Sequence, residues 1–476
     1  MCHATFPNHH QPVPDRCDFQ PGGPPDEPTT PGQSRRSKWP HGATVTRRTI
    51  SPLYDGPFDP DWSLESLSRQ GLARLCREVM LVSMLHDRSL IPHVASRGGM
   101  EASVSLADDE WMSASPIYTA RNKANLGITG DGVDAVLKSF QFDIGMPHHF
   151  LDMEGEVVRH DLGFFWLVSC GAHDYVRWMS GNDEKLVTMM CHDMEDQTFE
   201  ATLRATNPRA RCTPVHRPPK TGAFSGEHCR WELSISPDDL EIRPDHPNRA
   251  LISASKAANF EFGLGESQEA GGLDDYVGAY ISGLRLEDFG HAVLVRQVKE
   301  FALDVHLLMR AAYLSIQQRH GTDLLRDVAT QHIAALAPPL VRRLSEAMGV
   351  AGDDLHAIAK LLQLNPLLPD DYAELTIDFA DADRLEVTVL PCAALQDRAT
   401  PSPIDMLDDE EPTVISAIAL AVNPRARIDR RSGLSWQITI DPDADPVPAH
   451  PLTDLVGGHN YFPADLKPRP VPVSLR

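Results

Sequence analysis

Leu72-Ala73-Arg74-Leu75-Cys76-Arg77-Glu78-Val79-Met80-Leu81-Val82-Ser83-Met84-Leu85-His86-Asp87-Arg88 decides the fold once it is laid over Leu294-Val295-Arg296-Gln297-Val298-Lys299-Glu300-Phe301-Ala302-Leu303-Asp304-Val305-His306-Leu307-Leu308-Met309-Arg310. The two stretches lie 222 positions apart, and the match runs without a gap from about residue 54 to 172 against 276 to 394. Tyr54, Gly56, Leu64 and Glu65 fall on Tyr276, Gly278, Leu286 and Glu287; Arg97, Pro116 and Arg121 fall on Arg319, Pro338 and Arg343. Gly127, Gly130, Asp131, Lys138, Gln141, Pro147 and Cys170 meet Gly349, Gly352, Asp353, Lys360, Gln363, Pro369 and Cys392. Chance does not hold register that long, so the chain is a tandem duplication. A unit this large predicts two copies that are each a domain, not a solenoid.

Beyond the ungapped region the offset falls to 216 at Asn207-Pro208-Arg209-Ala210-Arg211, which meets Asn423-Pro424-Arg425-Ala426-Arg427, and to 205 where Trp231 meets Trp436. The second copy has therefore lost loop residues. Within a copy, apolar residues at helical spacing predict amphipathic helices over 72–94 and 294–316, and a third helix over 133–142 follows Gly130-Asp131-Gly132. Short β-rich runs then predict strands over 164–168, 186–190, 210–215 and 229–235, with a helix over 195–205 closed by Asn207-Pro208. The predicted class is α+β: two tandem copies, each with leading helices followed by a small, mainly antiparallel sheet. The expected division is a disordered Pro-rich tail over 1–50, a first repeat over 51–245, a linker over 246–275 that holds the Gly263–Gly272 run, a second repeat over 276–445 and a Pro-rich tail over 446–476.

A chain of 476 residues, 42% of them hydrophobic, can bury real cores. Its 44 basic and 67 acidic residues leave a net charge of −23, which argues against nucleic acid and anionic membrane surfaces as partners. No apolar run reaches the length of a membrane span, and the N-terminus lacks a secretory core; the polar residues after Arg47-Arg48 do not suit an export signal. A cytoplasmic address is expected, and the eight irregularly spaced cysteines then read as free thiols. His3, His9 and His10 read as part of a solvated tail.

Most residues able to do chemistry lie between Met190 and Trp231. Cys191 and His192 sit where a predicted strand hands over to a predicted helix, a place where a thiol can lose its proton more readily. Asp193, Glu195 and Asp196 oppose that with negative charge. Neighbours on a strand face opposite ways, so a base for Cys191 would come from His216, His228 or His173. Alternatively Cys191, His192, His228 and Cys229 offer ligands for zinc or another divalent metal, although the spacing is not that of a Cys-x2-Cys knuckle. His148 and His149 could contribute from the loop after the third helix, with Asp152 or Glu154 adding oxygen. Packing alone is the third reading of the Cys-His pair.

The duplication supplies an internal control. Cys170 keeps its thiol in Cys392, which fits core packing, whereas Cys191, His192, His228 and Cys229 face Leu407, Asp408, Gly433 and Leu434, and His148 and His149 face Asp370 and Asp371. Joint loss is what a single site in the first copy would leave behind; drift in a copy that never had one would look the same. Asn-Pro-Arg-Ala-Arg persists in both copies and reads as a helix stop, with Arg209 and Arg211 still able to grip a carboxylate. His216-Arg217-Pro218-Pro219 belongs to the first copy alone and is a candidate pocket wall.

Asn207-Pro208-Arg209 followed by His228-Cys229-Arg230-Trp231 resembles the L-2-amino-thiazoline-4-carboxylate hydrolase-like family, in which leading helices precede an Asn-Pro-basic segment and a loop cysteine before an aromatic final strand. With Cys191-His192, Glu195-Asp196 and His216-Arg217-Pro218-Pro219 the pattern also looks like a group of actinobacterial proteins. The resemblance implies ring-opening hydrolysis of a carboxylated sulfur and nitrogen heterocycle through a cysteine, with an arginine holding the carboxylate. The expectation is a small-molecule hydrolase: Cys191 as nucleophile or ligand, His192, His216 or His228 as base or ligand, and Arg209, Arg217 and His148 toward the substrate. A non-enzymatic protein binding a metal or small ligand at the same residues is the alternative. In either case the two repeats form an intramolecular pseudo-dimer.

Overall fold

The computed structural model describes residues 50–220, 226–236, 244–263, 265, 267–407 and 413–458. The Pro-rich tail expected over 1–50 lies, but for its last residue, outside the described residues, as do Asp408–Glu411 and the chain after 458.

Each copy opens with a helical hairpin. In the first, α1 (Arg69–Asn125) starts at Ser68, whose side chain accepts from the Gly71 amide, and is broken at Gly99 (φ 68°, ψ −159°) into arms over 69–98 and 100–125. In the second, Gly321 (φ 88°, ψ 170°) separates α7 (His291–His320) from α8 (Thr322–Met348). Gly99 and Gly321 correspond at the 222 offset, and both occupy backbone space that a side chain makes costly. The sequence showed only the first arm of each hairpin. The second arm of α1 buries Asp109, Glu110, Ser113 and Asn122, and these polar residues erase the apolar period by which a helix is recognised.

After α2 (Val133–Gln141), the first sheet contains β1 (Leu151–Arg159), β2 (Leu162–Cys170), β3 (Ala210–His216) and β4 (Cys229–Ile235), all antiparallel in the order β1-β2-β4-β3. The second copy repeats this after α9 (Leu355–Leu364), with β5 (Leu375–Asp381), β6 (Arg384–Val389), β7 (Ala426–Ser432) and β8 (Ser435–Ile440) in the order β5-β6-β8-β7. Helices with two antiparallel sheets meet the α+β expectation. Alternation on β4 buries Cys229, Trp231 and Leu233 against the helices. The shift from 216 to 205 falls in the last hairpin, where β7 and β8 join through Gly433 (φ 54°) but β3 and β4 are separated by residues 217–228.

One predicted strand is wrong. Residues 186–190 lie in α4 (Glu184–Thr188), capped by the Asp183 side chain on the Lys185 amide, and in a π-helical turn, Met189–Met194, that runs into α5 (Glu195–Thr206). Five apolar-rich residues are too few to tell a strand from a helix. Upstream, α3 (Gly171–Ser180), which follows β2 directly, was not anticipated.

The two copies meet through reciprocal contacts. Arg121 pairs with Glu300 (2.8 Å), and the corresponding Arg343 pairs with Glu78 (2.6 Å). Tyr276 donates to Gln141 (3.1 Å) as Tyr54 donates to Gln363 (2.8 Å), and Lys138 donates to the Gly278 carbonyl as Lys360 does to that of Gly56. The opening segment of each copy thus closes over the other, as across an isologous interface. The described residues form one compact unit, and one apolar core runs from Leu72 and Phe165 through Leu303 and Trp436. The two expected repeats therefore share one core, because each copy leaves apolar and polar surface that the other covers. The expected linker is built into this body as well: α6 (Pro247–Ser253) buries Ile252, and Arg121 donates to the carbonyls of Ala258 and Phe260. Past residue 446, α12 (Thr453–Gly457) buries Val456. No described helix is long and apolar enough to cross a membrane.

Candidate functional site

The first copy contains a cavity of about 150 Å³ between its hairpin, its sheet and α5. The first arm of α1 contributes Met84, Asp87 and Ile91, and the second arm Ala107 and Trp111. Phe140 from α2, Leu151, Leu167 and Cys170 from the sheet, and Asp143, Gly145 and Met146 from the loop between them complete one side. Met190 and Met194 of the π-helical turn and Glu195, Thr198, Phe199 and Thr202 of α5 form the other. A π-helical turn is a common device at functional sites, and here it carries Cys191 and His192 while delivering Met190, Met194 and Glu195 to the cavity.

Three carboxyl groups line this largely apolar space. Burial holds Glu195 up to about 8, with Arg217 opposing the shift and Asp196 adding to it. Burial likewise raises Asp143 to about 6, against the Gly145 amide (2.7 Å) and the Tyr118 hydroxyl (3.3 Å) that donate to it. Asp87 is held well above the usual carboxylate range, first by burial and then by the Glu110 carboxyl beside it. Glu110 is itself pushed up to about 8 by burial. His86 is held down to about 4, again by burial.

His86, Asp87 and Glu110 offer ligand atoms that all lie within 4.8 Å of one another, so this buried group could hold a metal ion. Among the described residues it is the group of His, Cys, Asp and Glu that converges in this way, and the expected set of Cys191, His192, His228 and Cys229 does not. The reason is local. His192 turns its Nε2 to the Pro218 carbonyl (2.8 Å), His228 packs its ring on His173 (4.4 Å), and Cys191 lies in a small apolar cluster with Tyr175, Val176 and Val187.

The other expected residues spread out similarly. Burial pushes the Cys191 thiol far up, with Glu195 adding to the shift, which opposes thiolate formation. His216 faces Glu227 at 3.7 Å, and burial lowers His228 to about 3. Arg217 is ion-paired with Asp196 and stacks over Trp231 (5.3 Å). Arg209 is exposed, its amide donating to Asn207 (2.9 Å) in the helix stop. His148 is buried under Phe142 and donates to the Gln141 carbonyl; burial lowers it to about 3. Arg209 and His148 therefore support the scaffold, and neither lines the cavity.

The second copy differs from the first at most of the positions that line this site. At the 222 offset Asp87, Glu110, Trp111, Asp143 and Gly145 fall on Met309, His332, Ile333, Asn365 and Leu367, and at the 216 offset Thr198 and Thr202 fall on Val414 and Ile418. Ile333, Leu367, Val414 and Ile418 are buried and apolar where the first copy lines its cavity with Trp111, Gly145, Thr198 and Thr202. Gly145 is needed for that opening, since a Cβ there would stand 3.1 Å from the Trp111 ring. Asp87 gives way to methionine, while Glu110 and Asp143 stay polar as histidine and asparagine, so the second copy loses all three acids, and that loss marks these positions as a candidate site. Asp87, Glu110 and Asp143 lie far along the chain from the thiols and imidazoles that cluster over 190–231.

Comparison with known proteins adds no family: no family model, curated protein or solved structure matches the chain.

Proposed function

We propose that the first repeat is a small-molecule hydrolase whose substrate seats in the cavity between α1, the first sheet and α5. The observation that carries the reading is the cavity itself, apolar but set with the carboxyls of Asp87, Asp143 and Glu195, the first two of which the second copy replaces with Met309 and Asn365. A carboxyl that changes protonation near neutral pH suits proton transfer, and Glu195 has that property at the cavity wall. This supports carboxyl-based acid and base chemistry over attack by Cys191, whose thiolate burial disfavours. The lining contains no arginine or lysine, so its charge favours a neutral or cationic substrate with an apolar body over the carboxylated heterocycle that the family resemblance implies. The six described cysteines are all free, in keeping with the cytoplasmic address that we include in the proposal.

The test uses the full chain, a panel of neutral and cationic esters, amides and cyclic amidines, and the plugging variant Thr202→Ile, which installs the residue of the second copy. Turnover of a panel member by the wild type, with at least tenfold loss in Thr202→Ile and in Glu195→Gln and an unchanged circular dichroism spectrum, is expected. Turnover that survives both substitutions in folded protein refutes the assignment. Binding without turnover, abolished by Thr202→Ile, would establish the ligand-binding alternative.

A further inference from the structure

We propose that His86 Nε2, Asp87 Oδ1 and Glu110 Oε1 form a three-ligand site for a first-row divalent cation beside the cavity of the first repeat. None of the three atoms has a hydrogen-bond partner outside the group, within which the Asp87 and Glu110 carboxyls interact with each other. His86 is 0% and Glu110 1% exposed, so two unpartnered polar atoms are aimed at one point from which water is excluded. Native proteins rarely leave such atoms unpaired, and a cation satisfies them together. His86 Nε2 and Glu110 Oε1 are 3.6 Å apart. Ligands at roughly 2.0–2.2 Å from an ion stand about as far from one another, so little movement is needed.

The arrangement follows from the hairpin. His86 and Asp87 are neighbours on the first arm of α1, and the turn at Gly99 brings the second arm back so that Glu110 lies beside both. Asp87 lines the cavity while His86 and Glu110 lie behind it, so Asp87 is the ligand through which a bound ion would meet the cavity. Three protein ligands with an open position describe a catalytic more than a structural metal site. Imidazole with two carboxylates suits cations such as Zn²⁺ or Mn²⁺.

A support behind the ligands comes from the second copy. His86 Nδ1 is 2.9 Å from His332 Nε2, and His332 Nδ1 is 2.9 Å from the Tyr313 hydroxyl. If His86 keeps a lone pair on Nε2 for the ion, Nδ1–H donates to His332, whose own Nδ1–H donates to Tyr313. This outer hydrogen bond is the kind that orients a ligating imidazole. His332 is the residue that corresponds to Glu110, so the two copies divide the parts: the first holds ligands and the second supplies a positioning residue. The inference deepens the hydrolase reading by giving that cavity a Lewis acid; it rests on that reading for its use, and on the ligand atoms for its existence.

The experiment is equilibrium binding of Zn²⁺ and of Mn²⁺ to chelator-treated full-length protein, read by elemental analysis after gel filtration and by titration calorimetry. One ion per chain is expected. Affinity should fall at least tenfold in Glu110→Gln and Asp87→Asn, and by about 10–100-fold in His332→Phe with recovery in His332→Gln, which can still accept from His86. Asp87 is only partly buried, so Asp87→Asn serves should Glu110→Gln fail the folding control by circular dichroism. The proposal is overturned if no ion is retained, if folded Asp87→Asn and His332→Phe bind as the wild type does, or if retention depends on Cys191 and Cys229 instead. Because binding is measured without substrate, a failure here leaves the turnover test of the cavity standing, and the converse also holds.

Discussion

Asp397→Asn should be the most destabilising single exchange of one polar atom in the second copy. Arg310 and Asp397 are 0% and 1% exposed at their side chains and pair at 3.0 Å. Asp397 also accepts from the Tyr372 hydroxyl and the Ala257 amide, each at 2.9 Å, tying α7 and the segment after α6 to the chain beyond α10 (Ala393–Gln396). An asparagine keeps the shape and can still accept from Tyr372 or Ala257, but it removes the charge. Arg310 is then left with the Thr400 hydroxyl and carbonyl, His306 Nε2 (3.4 Å) and the more distant charge of Asp405 for a guanidinium cut off from water. Breaking one side of a buried pair costs about 3–5 kcal/mol, against about 0–1 kcal/mol for an exposed pair such as Arg97 with Asp327. The loss of the Asp397 charge dominates, because Arg310 stays buried in either protein and its missing hydration is no longer offset by a carboxylate in contact with it. Urea denaturation followed by fluorescence and circular dichroism would read the loss as a lowered midpoint with unchanged slope, provided the two signals coincide. Replacing both partners by apolar residues, as in Arg310→Met with Asp397→Leu, should cost much less than Asp397→Asn alone. A loss below about 1 kcal/mol in Asp397→Asn, the range of a solvent-screened pair, would refute the reasoning.

Three further outcomes are expected. The Glu195 carboxyl is raised from 4.5 to about 8, so its contribution to stability is complete below pH 4.5 and is lost as pH rises to about 8; Glu195→Gln should flatten the pH dependence of the denaturation midpoint in that window, and an identical profile would contradict the buried placement. Gly321→Ala should destabilise the protein by about 1–3 kcal/mol through backbone strain alone, since a Cβ there touches nothing within 4 Å; a calorimetric melting temperature equal to that of the wild type would show that the hairpin turn tolerates a side chain. Cys191 should alkylate slowly in the native protein and rapidly in denaturant, because burial raises its thiol; mass mapping that finds it the fastest native thiol would restore it as a nucleophile.

Much of the architecture was legible because it rests on local pattern and on repetition. The 222-residue offset, the helical period over 72–94 and the alternation of Cys229, Trp231 and Leu233 are properties of neighbours along the chain, and the structure bears out the α+β class with a sheet in each copy. The strand expected over 186–190 failed because so short an apolar run has no period of its own, and tertiary context turned it into a helix end and a π-helical turn. The candidate site was half legible. Glu195 and the chain around it were singled out, but as a setting for Cys191, whereas His86, Asp87, Glu110 and Asp143 passed unnoticed within or beside helices. Their loss from the second copy was readable in the alignment; what was not readable is that Glu110, 23 positions after Asp87, comes back beside it across the turn at Gly99.

By itself the sequence determined that the chain is two copies of one α+β unit, that the second is shorter in its loops, and that the first keeps the more reactive side chains. Those are statements about order and composition, which evolution copies and erodes one residue at a time. Only the tertiary structure decided that the copies complete each other, that a cavity set with carboxyls opens in the first, and which polar atoms are left facing one another there. Partnership and open volume arise between segments far apart in the chain. No local spacing encodes whether a buried carboxyl meets a cation, a proton or a second carboxyl.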